Sequence, residues 1–158
     1  MKQNALDSPG ILIPPPVFFF ACLIGGLLLE YYFPIYIMDI PLILRLVSGG
    51  ILLLASGFLG ASGFYALIRN KTTFHTGKST SRIVTSGSYR FSRNPLYLAL
   101  LLLMAGIAVL HTSVWLLLAV PALYLILLIK AVKPEERYLS RKFGREYLDY
   151  AARVRRWI

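Results

Sequence analysis

Cysteine is almost absent. Cys22 stands alone in an apolar run, so no disulfide can form within the chain, and a small buried hydrophobe is its expected role. Acidic residues are scarce as well, 7 against 17 basic ones, and none of them lies between Arg69 and Arg93. Histidine is limited to His75 and His111, with no cysteine nearby and no pair at metal-ligand spacing, so no zinc or iron site is expected. The chain has no Ser-His-Asp set, no phosphate-cradling glycine loop and no dinucleotide fingerprint. It also lacks a basic N-terminal region followed by a short apolar core and a small-residue cleavage site; no cleavable signal peptide is expected, and the first helix should stay in the protein.

What is abundant is apolar sequence. Of 158 residues 57% are hydrophobic, and the net charge is +10. With a mean hydropathy of +0.65, this describes a small all-α, multi-pass membrane protein forming a single membrane domain over residues 1–158, rather than a soluble domain. The cations cluster. Arg69, Lys71, Lys78, Arg82, Arg90 and Arg93 occupy one loop, nine more occupy residues 130–156, and only Lys2 and Arg45 fall elsewhere. Two basic segments flanking apolar helices should share one side of the membrane, the cytoplasmic side. Topology and attraction to anionic headgroups account for this charge, which leaves little reason to expect nucleic-acid binding.

Four spans are expected, with both termini cytoplasmic. Pro14-Pro15-Pro16 gives a stiff start, since missing N–H groups matter least in a first helical turn. Residues 17–32 then form the first span, ending at Glu30, Tyr31 and Tyr32 at the far interface. The second runs over residues 42–69 and is longer than a straight crossing requires. Ser48, Gly49, Gly50, Ser56, Gly57, Gly60, Ala61 and Gly63 recur along it, a pattern that suits close helix packing better than a ligand groove. Arg45, near its outer end, is expected to snorkel to water. Residues 96–110 and 114–129 form a hairpin of short spans joined by His111-Thr112-Ser113. In the tail, Leu139, Phe143, Tyr147, Ala151, Val154 and Ile158 recur at helical steps and predict one amphipathic face, bent or broken at Gly144.

Chemistry concentrates in two places. The first is the stretch GSYRFSRNPLY at residues 87–97, where Asn94 followed by Pro95 predicts a helix start with Asn94 as cap. A polar, Arg-bearing helix mouth at membrane depth is a candidate anion site. The second is Glu135 and Glu136, which follow Pro134 and are the first acidic residues after Asp39. Two readings stand for this pair: carboxylates complementing the dipole of a new helix, or carboxylates meeting the polar groups of a bound cofactor.

GSYRFSRNPLY, a short hairpin, and then EERYLSRKFGREYLDYAARVRRW resemble, in that order, the isoprenylcysteine carboxyl methyltransferase family, which overlaps in sequence with phospholipid methyltransferases. The resemblance covers roughly residues 72–158. It implies a membrane-embedded methyltransferase that uses S-adenosylmethionine at the cytoplasmic face on an amphiphilic, isoprenoid or lipid acceptor entering between helices. Carried over by position, cofactor contacts fall on Ser81, Arg82, Ile83, Val84, Tyr89, Asn94, Pro95, Leu96, Tyr97 and Glu135. Catalytic roles fall on Glu136, which would deprotonate or orient the acceptor, and on Arg93; substrate-binding positions are Ala131 and Arg153. Asn94 stands where the family commonly has His. Ala131 stands where eukaryotic carboxyl methyltransferases of the family place an Arg for the substrate carboxylate. Two other readings stay open: a membrane reductase, because sterol reductases resemble the same C-terminal half, and a non-catalytic protein that binds lipid or a partner subunit.

Overall fold

The computed structural model describes residues 10–11, 13–35, 40–70 and 82–158, and within them every regular element is helical. Six α-helices follow one another: α1 (Pro15–Tyr32), α2 (Leu42–Arg69), α3 (Pro95–His111), α4 (Val114–Leu127), α5 (Lys133–Phe143) and α6 (Arg145–Arg153). A 3-10 turn, Gly87–Arg90, precedes α3, and a π turn, Leu128–Val132, joins α4 to α5.

Among the described residues three helices are long and apolar enough to cross a bilayer: α1, α2 and the continuous Val114–Phe143 helix that the π turn creates from α4 and α5. α3 is apolar but has 17 residues, about 25 Å of helix, so the four expected spans become three of spanning length and one shorter apolar helix. Where the expected spans lie, the helices follow them closely, because apolar runs bounded by proline and turn residues leave little latitude for their ends. α3 packs against α2 on one side and α4 on the other, and α1 packs against α4. Met104, Leu116, Leu123 and Leu127 are fully buried at the centre, whereas Leu54 and Phe58 of α2 are 76% and 72% exposed. Such apolar surface is stable only against hydrocarbon.

The α2–α3 seam explains four of the small residues of α2, Gly49, Ser56, Gly60 and Gly63. Gly49, Ser56 and Gly63, spaced by seven, face α3. A Cβ on Gly49 would fall 2.6 Å from Leu110 Cγ and 3.3 Å from the Gly106 carbonyl oxygen. One on Gly106 would fall 2.8 Å from Leu53 Cδ2. Ser56 Oγ donates to the Ala99 carbonyl at 2.7 Å. Helix packing is thus the role of these positions, while Gly50 and Gly57 face open space. Arg45 also donates to the Leu110 carbonyl at the C-terminal end of α3, where unpaired carbonyls and the negative helix pole attract a cation. The hairpin turns at Thr112, with φ +52°, and Ser113 caps α4 by accepting from Leu116 N at 3.2 Å.

The tail breaks at Gly144 as expected, with φ +52° and ψ −123°, but its buried face differs. Tyr138, Tyr147 and Tyr150 are buried, Leu139, Phe143, Ala151 and Val154 are half-buried, and Ile158 is 78% exposed. The backbone break separates the two helices, so a period read through Gly144 does not trace one face.

Candidate functional site

Three elements converge on the turn before α3. First, the 3-10 turn docks on α2: Ser88 N donates to Ser62 Oγ at 3.2 Å, and Ser88 Oγ donates to the Leu59 carbonyl at 3.3 Å. Gly87, at φ +60°, makes that approach possible, since a Cβ there would meet Ser62 O and Ala66 Cβ at 3.2 Å. Second, α5 arrives as the continuation of α4, with Lys133 N donating to the Leu128 carbonyl across the π turn. α5 is therefore not a free helix start, and the dipole reading of Glu135 and Glu136 loses its basis. Third, the chain after α6 runs extended across the mouth of α3. Arg93 N donates to the Arg155 carbonyl at 3.0 Å, and Ser92 Oγ and Asn94 Nδ2 both donate to the Arg156 carbonyl, at 3.3 and 3.0 Å.

Asn94 consequently does not cap α3. Its side-chain amide is engaged by the tail, no side-chain hydrogen bond caps the helix, and Pro95 in the first turn supplies the start signal. The end of the basic loop at Arg93 and the tail at Arg155 and Arg156 meet at one end of the bundle.

The carboxylates take separate partners. Tyr97 donates from its hydroxyl to Glu135 Oε2 at 2.9 Å. Glu136 is held from two sides: Arg156 donates to both its oxygens, Nε at 2.9 Å and Nη2 at 2.8 Å, and Arg93 Nη1 lies 3.3 Å from Oε1. A bidentate guanidinium fixes the plane of a carboxylate as well as neutralising it. Those hydrogen bonds raise the Arg156 guanidinium further above its ordinary value. Arg93 also donates to the Tyr147 hydroxyl at 3.3 Å, while its Nε is buried without a hydrogen-bond partner among the described residues. Tyr150 donates to the Tyr89 carbonyl at 2.7 Å. Burial, and then the charge of Glu135, push the Tyr89 phenol well above its ordinary range; burial does the same to Tyr150, so both stay protonated donors.

The sequence-predicted residues divide accordingly. Arg93, Asn94, Tyr97, Glu135 and Glu136 gather at the mouth of α3, with Tyr89 beside them through Tyr150 and Glu135. Pro95 is buried, and Leu96 is half-buried at the start of the seam beside Gly63. Val84 is buried, Ile83 half-buried and Arg82 exposed, while Ser81 and His75 lie outside the described residues. Ala131 is fully buried in the apolar core. Arg153 is exposed and donates to the Asp149 carbonyl of its own helix, so it is not brought to the cluster. The cation that is brought there is Arg156, three residues on. In the sequence Arg156 is one more cation that sets topology and Tyr147 one more member of an apolar face; the one signal is polar tips spaced three apart, at Tyr147 and Tyr150, on a face that meets the loop.

Neither a curated protein sequence nor a solved structure matches the chain. A family model does: phospholipid methyltransferase, over residues 44–146. The match begins near the start of α2, earlier than the 72–158 resemblance, and takes in the seam, both carboxylates and the turn before α3. Because it spans well over half of the chain, this apolar helical protein belongs to the phospholipid methyltransferase family, and membrane methyl transfer is the activity that membership carries.

Proposed function

We propose that the protein, acting as a single membrane domain over residues 1–158, transfers a methyl group from S-adenosylmethionine to a lipid or isoprenoid-like acceptor at the cytoplasmic face of the membrane. The observation that carries this reading is the Tyr97–Glu135 hydrogen bond beside the Arg93–Glu136–Arg156 network, which joins two motifs 38 residues apart in sequence. The residues present suit the cofactor. Arg93 has a buried donor without a partner among the described residues, and the first turn of α3 has no side-chain cap; both are donors for a carboxylate. Glu135 offers a carboxylate for an ammonium group or for ribose hydroxyls, and Tyr89 an aromatic face.

When bound, S-adenosylmethionine supplies a methyl carbon on a sulfonium, open to in-line displacement by a nucleophile. The chain's own contribution is placement, which in well-oriented reactions is worth on the order of 7–11 kcal/mol. Tyr97 fixes Glu135 in one orientation, and Arg156 and Arg93 fix Glu136. Glu136 is the group to accept a proton from an amine or thiol acceptor, or to orient it; a carboxylate acceptor needs no base. Ala131 and Arg153 are the proposed positions along the acceptor's path. The positive-inside rule assigns the end that carries Arg93 and Arg156 to the cytoplasm, and with four crossings both termini lie there.

Titration calorimetry of the detergent-purified protein tests the reading. Heat is expected with S-adenosylmethionine and none with NADPH. Glu135→Gln and Tyr89→Ala should each weaken binding at least tenfold, about 1.4 kcal/mol. Heat with NADPH alone, or unchanged affinity in both variants, overturns it.

A further inference from the structure

The surface of α4 and α5 carries a second pattern, one that the methyl-transfer reading does not use. Leu125, Ile129, Lys133, Arg137 and Arg141 follow one another at four-residue steps, and all five are exposed. Four-residue steps drift around an α-helix of 3.6 residues per turn. The π turn at Leu128–Val132 closes on a wider hydrogen-bonding step and takes up part of that drift, so the line passes from α4 onto α5 along one side. Its first half is hydrocarbon, with Leu125 and Ile129 each 53% exposed. Its second half is cationic.

Lys133, Arg137, Ser140 and Arg141 line a groove of about 980 Å³. Glu136 lines it too, but that carboxylate is already held by Arg93 and Arg156. Among the described residues no carboxylate pairs with Lys133, Arg137 or Arg141; Arg137 Nε donates only to the Lys133 carbonyl, at 3.4 Å. Like charges at successive four-residue steps destabilise a helix, so three of them around one groove call for an anion. An anion at the end of an exposed apolar line that must face hydrocarbon is the chemistry of one class of molecule.

We propose that this line is a docking site for an anionic phospholipid of the surrounding bilayer. The headgroup phosphate lies in the groove between Lys133, Arg137 and Arg141, with the Ser140 hydroxyl as a further donor, and an acyl chain runs along Ile129 and Leu125. The guanidinium groups of Arg137 and Arg141 match phosphate geometry, and Lys133 adds a point charge at the point where the helix turns from apolar to polar. The site does not depend on the methyl-transfer reading: Glu136 borders both, but none of the phosphate donors, Lys133, Arg137, Ser140 and Arg141, has a part in methyl transfer.

Native mass spectrometry of the full chain tests it, with phosphatidylglycerol and phosphatidylcholine offered together in mild detergent. The protein should retain phosphatidylglycerol at least tenfold over phosphatidylcholine. Lys133→Gln/Arg137→Gln/Arg141→Gln should abolish that preference, and Arg137→Gln alone should reduce it several-fold in a protein whose thermal unfolding is unchanged. The charge-matched control Arg69→Gln/Arg90→Gln/Arg145→Gln should keep the preference. Equal loss in the control means general attraction to the basic end and overturns the site. Displacement of the lipid by inorganic phosphate at millimolar concentration means a free-anion site and overturns the lipid assignment. The readout is lipid retention, so it stands or falls independently of heat with S-adenosylmethionine.

Discussion

Along the α2–α3 seam the helices meet through what their side chains lack: a Cβ on Gly49 or Gly106 would fall 3.3 Å from the other glycine's carbonyl oxygen and under 3.0 Å from a leucine side chain, so the neighbours must shift to admit even a methyl group. At the polar end of the same bundle, loop, hairpin and tail meet through long side chains, with Arg93 and Arg156 reaching Glu136, Tyr97 reaching Glu135, and Tyr150 reaching the Tyr89 carbonyl. The two devices suit two solvents. Lipid provides no hydrophobic drive for one apolar helix to bind another, so association there depends on close contact and an occasional hydrogen bond such as Ser56 to Ala99. At the interface water competes for every polar group, and chain segments are held by charge-assisted pairs that can exchange partners. A seam of that kind is fixed, and an end of that kind can admit a polar ligand.

Adjacent glycines give the sharpest test of the seam and the largest expected effect. Gly49→Val forces two branches into Leu110 and the Gly106 backbone and should cost about 3 kcal/mol by overpacking. A Cβ at Gly50 meets nothing within 4 Å, and Gly50→Val should stay within about 0.5 kcal/mol of the unmodified chain. Thermal unfolding in detergent, followed by circular dichroism, compares them; equal losses would show that the seam is not the fixed element.

The polar end should break in a graded way. Glu136→Gln leaves Arg93, whose side chain is 15% exposed, without its counter-charge and releases Arg156. A cost of about 1–3 kcal/mol is expected, below that of a fully buried pair because water reaches both cations. Arg156→Gln should cost less, about 1 kcal/mol, since that side chain is 40% exposed and Glu136 keeps Arg93. Both should expose the tail to carboxypeptidase, the first more than the second. The reverse order would mean that Arg93 does not hold Glu136.

The helices were legible because apolar runs and proline boundaries are local signals, and the seam because glycine spacing is one too. Arg93, Tyr97, Glu135 and Glu136 were legible as types in an ordered motif, although nothing in the spacing assigned Glu135 to Tyr97 and Glu136 to two arginines. Arg156 escaped because its partner lies 20 residues away across a helix break, and a cation in a basic tail looks like any other. The π turn escaped for a related reason: Leu128–Val132 reads as one more stretch of apolar helix, yet it makes α5 a continuation of α4 and so removes the helix start that Pro134-Glu135-Glu136 advertises.

The smallest expected effect bears on the one residue at which the two ends of the motif meet. By residue type Asp caps a helix as well as Asn and adds a favourable charge at the positive pole, so if Asn94 capped α3, Asn94→Asp would be neutral or stabilising. In the structure the Asn94 amide instead donates to the Arg156 carbonyl at 3.0 Å, and a carboxylate cannot donate there. The substitution should therefore cost about 1 kcal/mol and leave the helical circular dichroism signal unchanged, because Pro95 still starts the helix. Asn94→Ala should cost a similar amount, having lost the same bond and no cap. A stable Asn94→Asp beside a destabilised Asn94→Ala would return the residue to the cap and detach the tail from the mouth of α3.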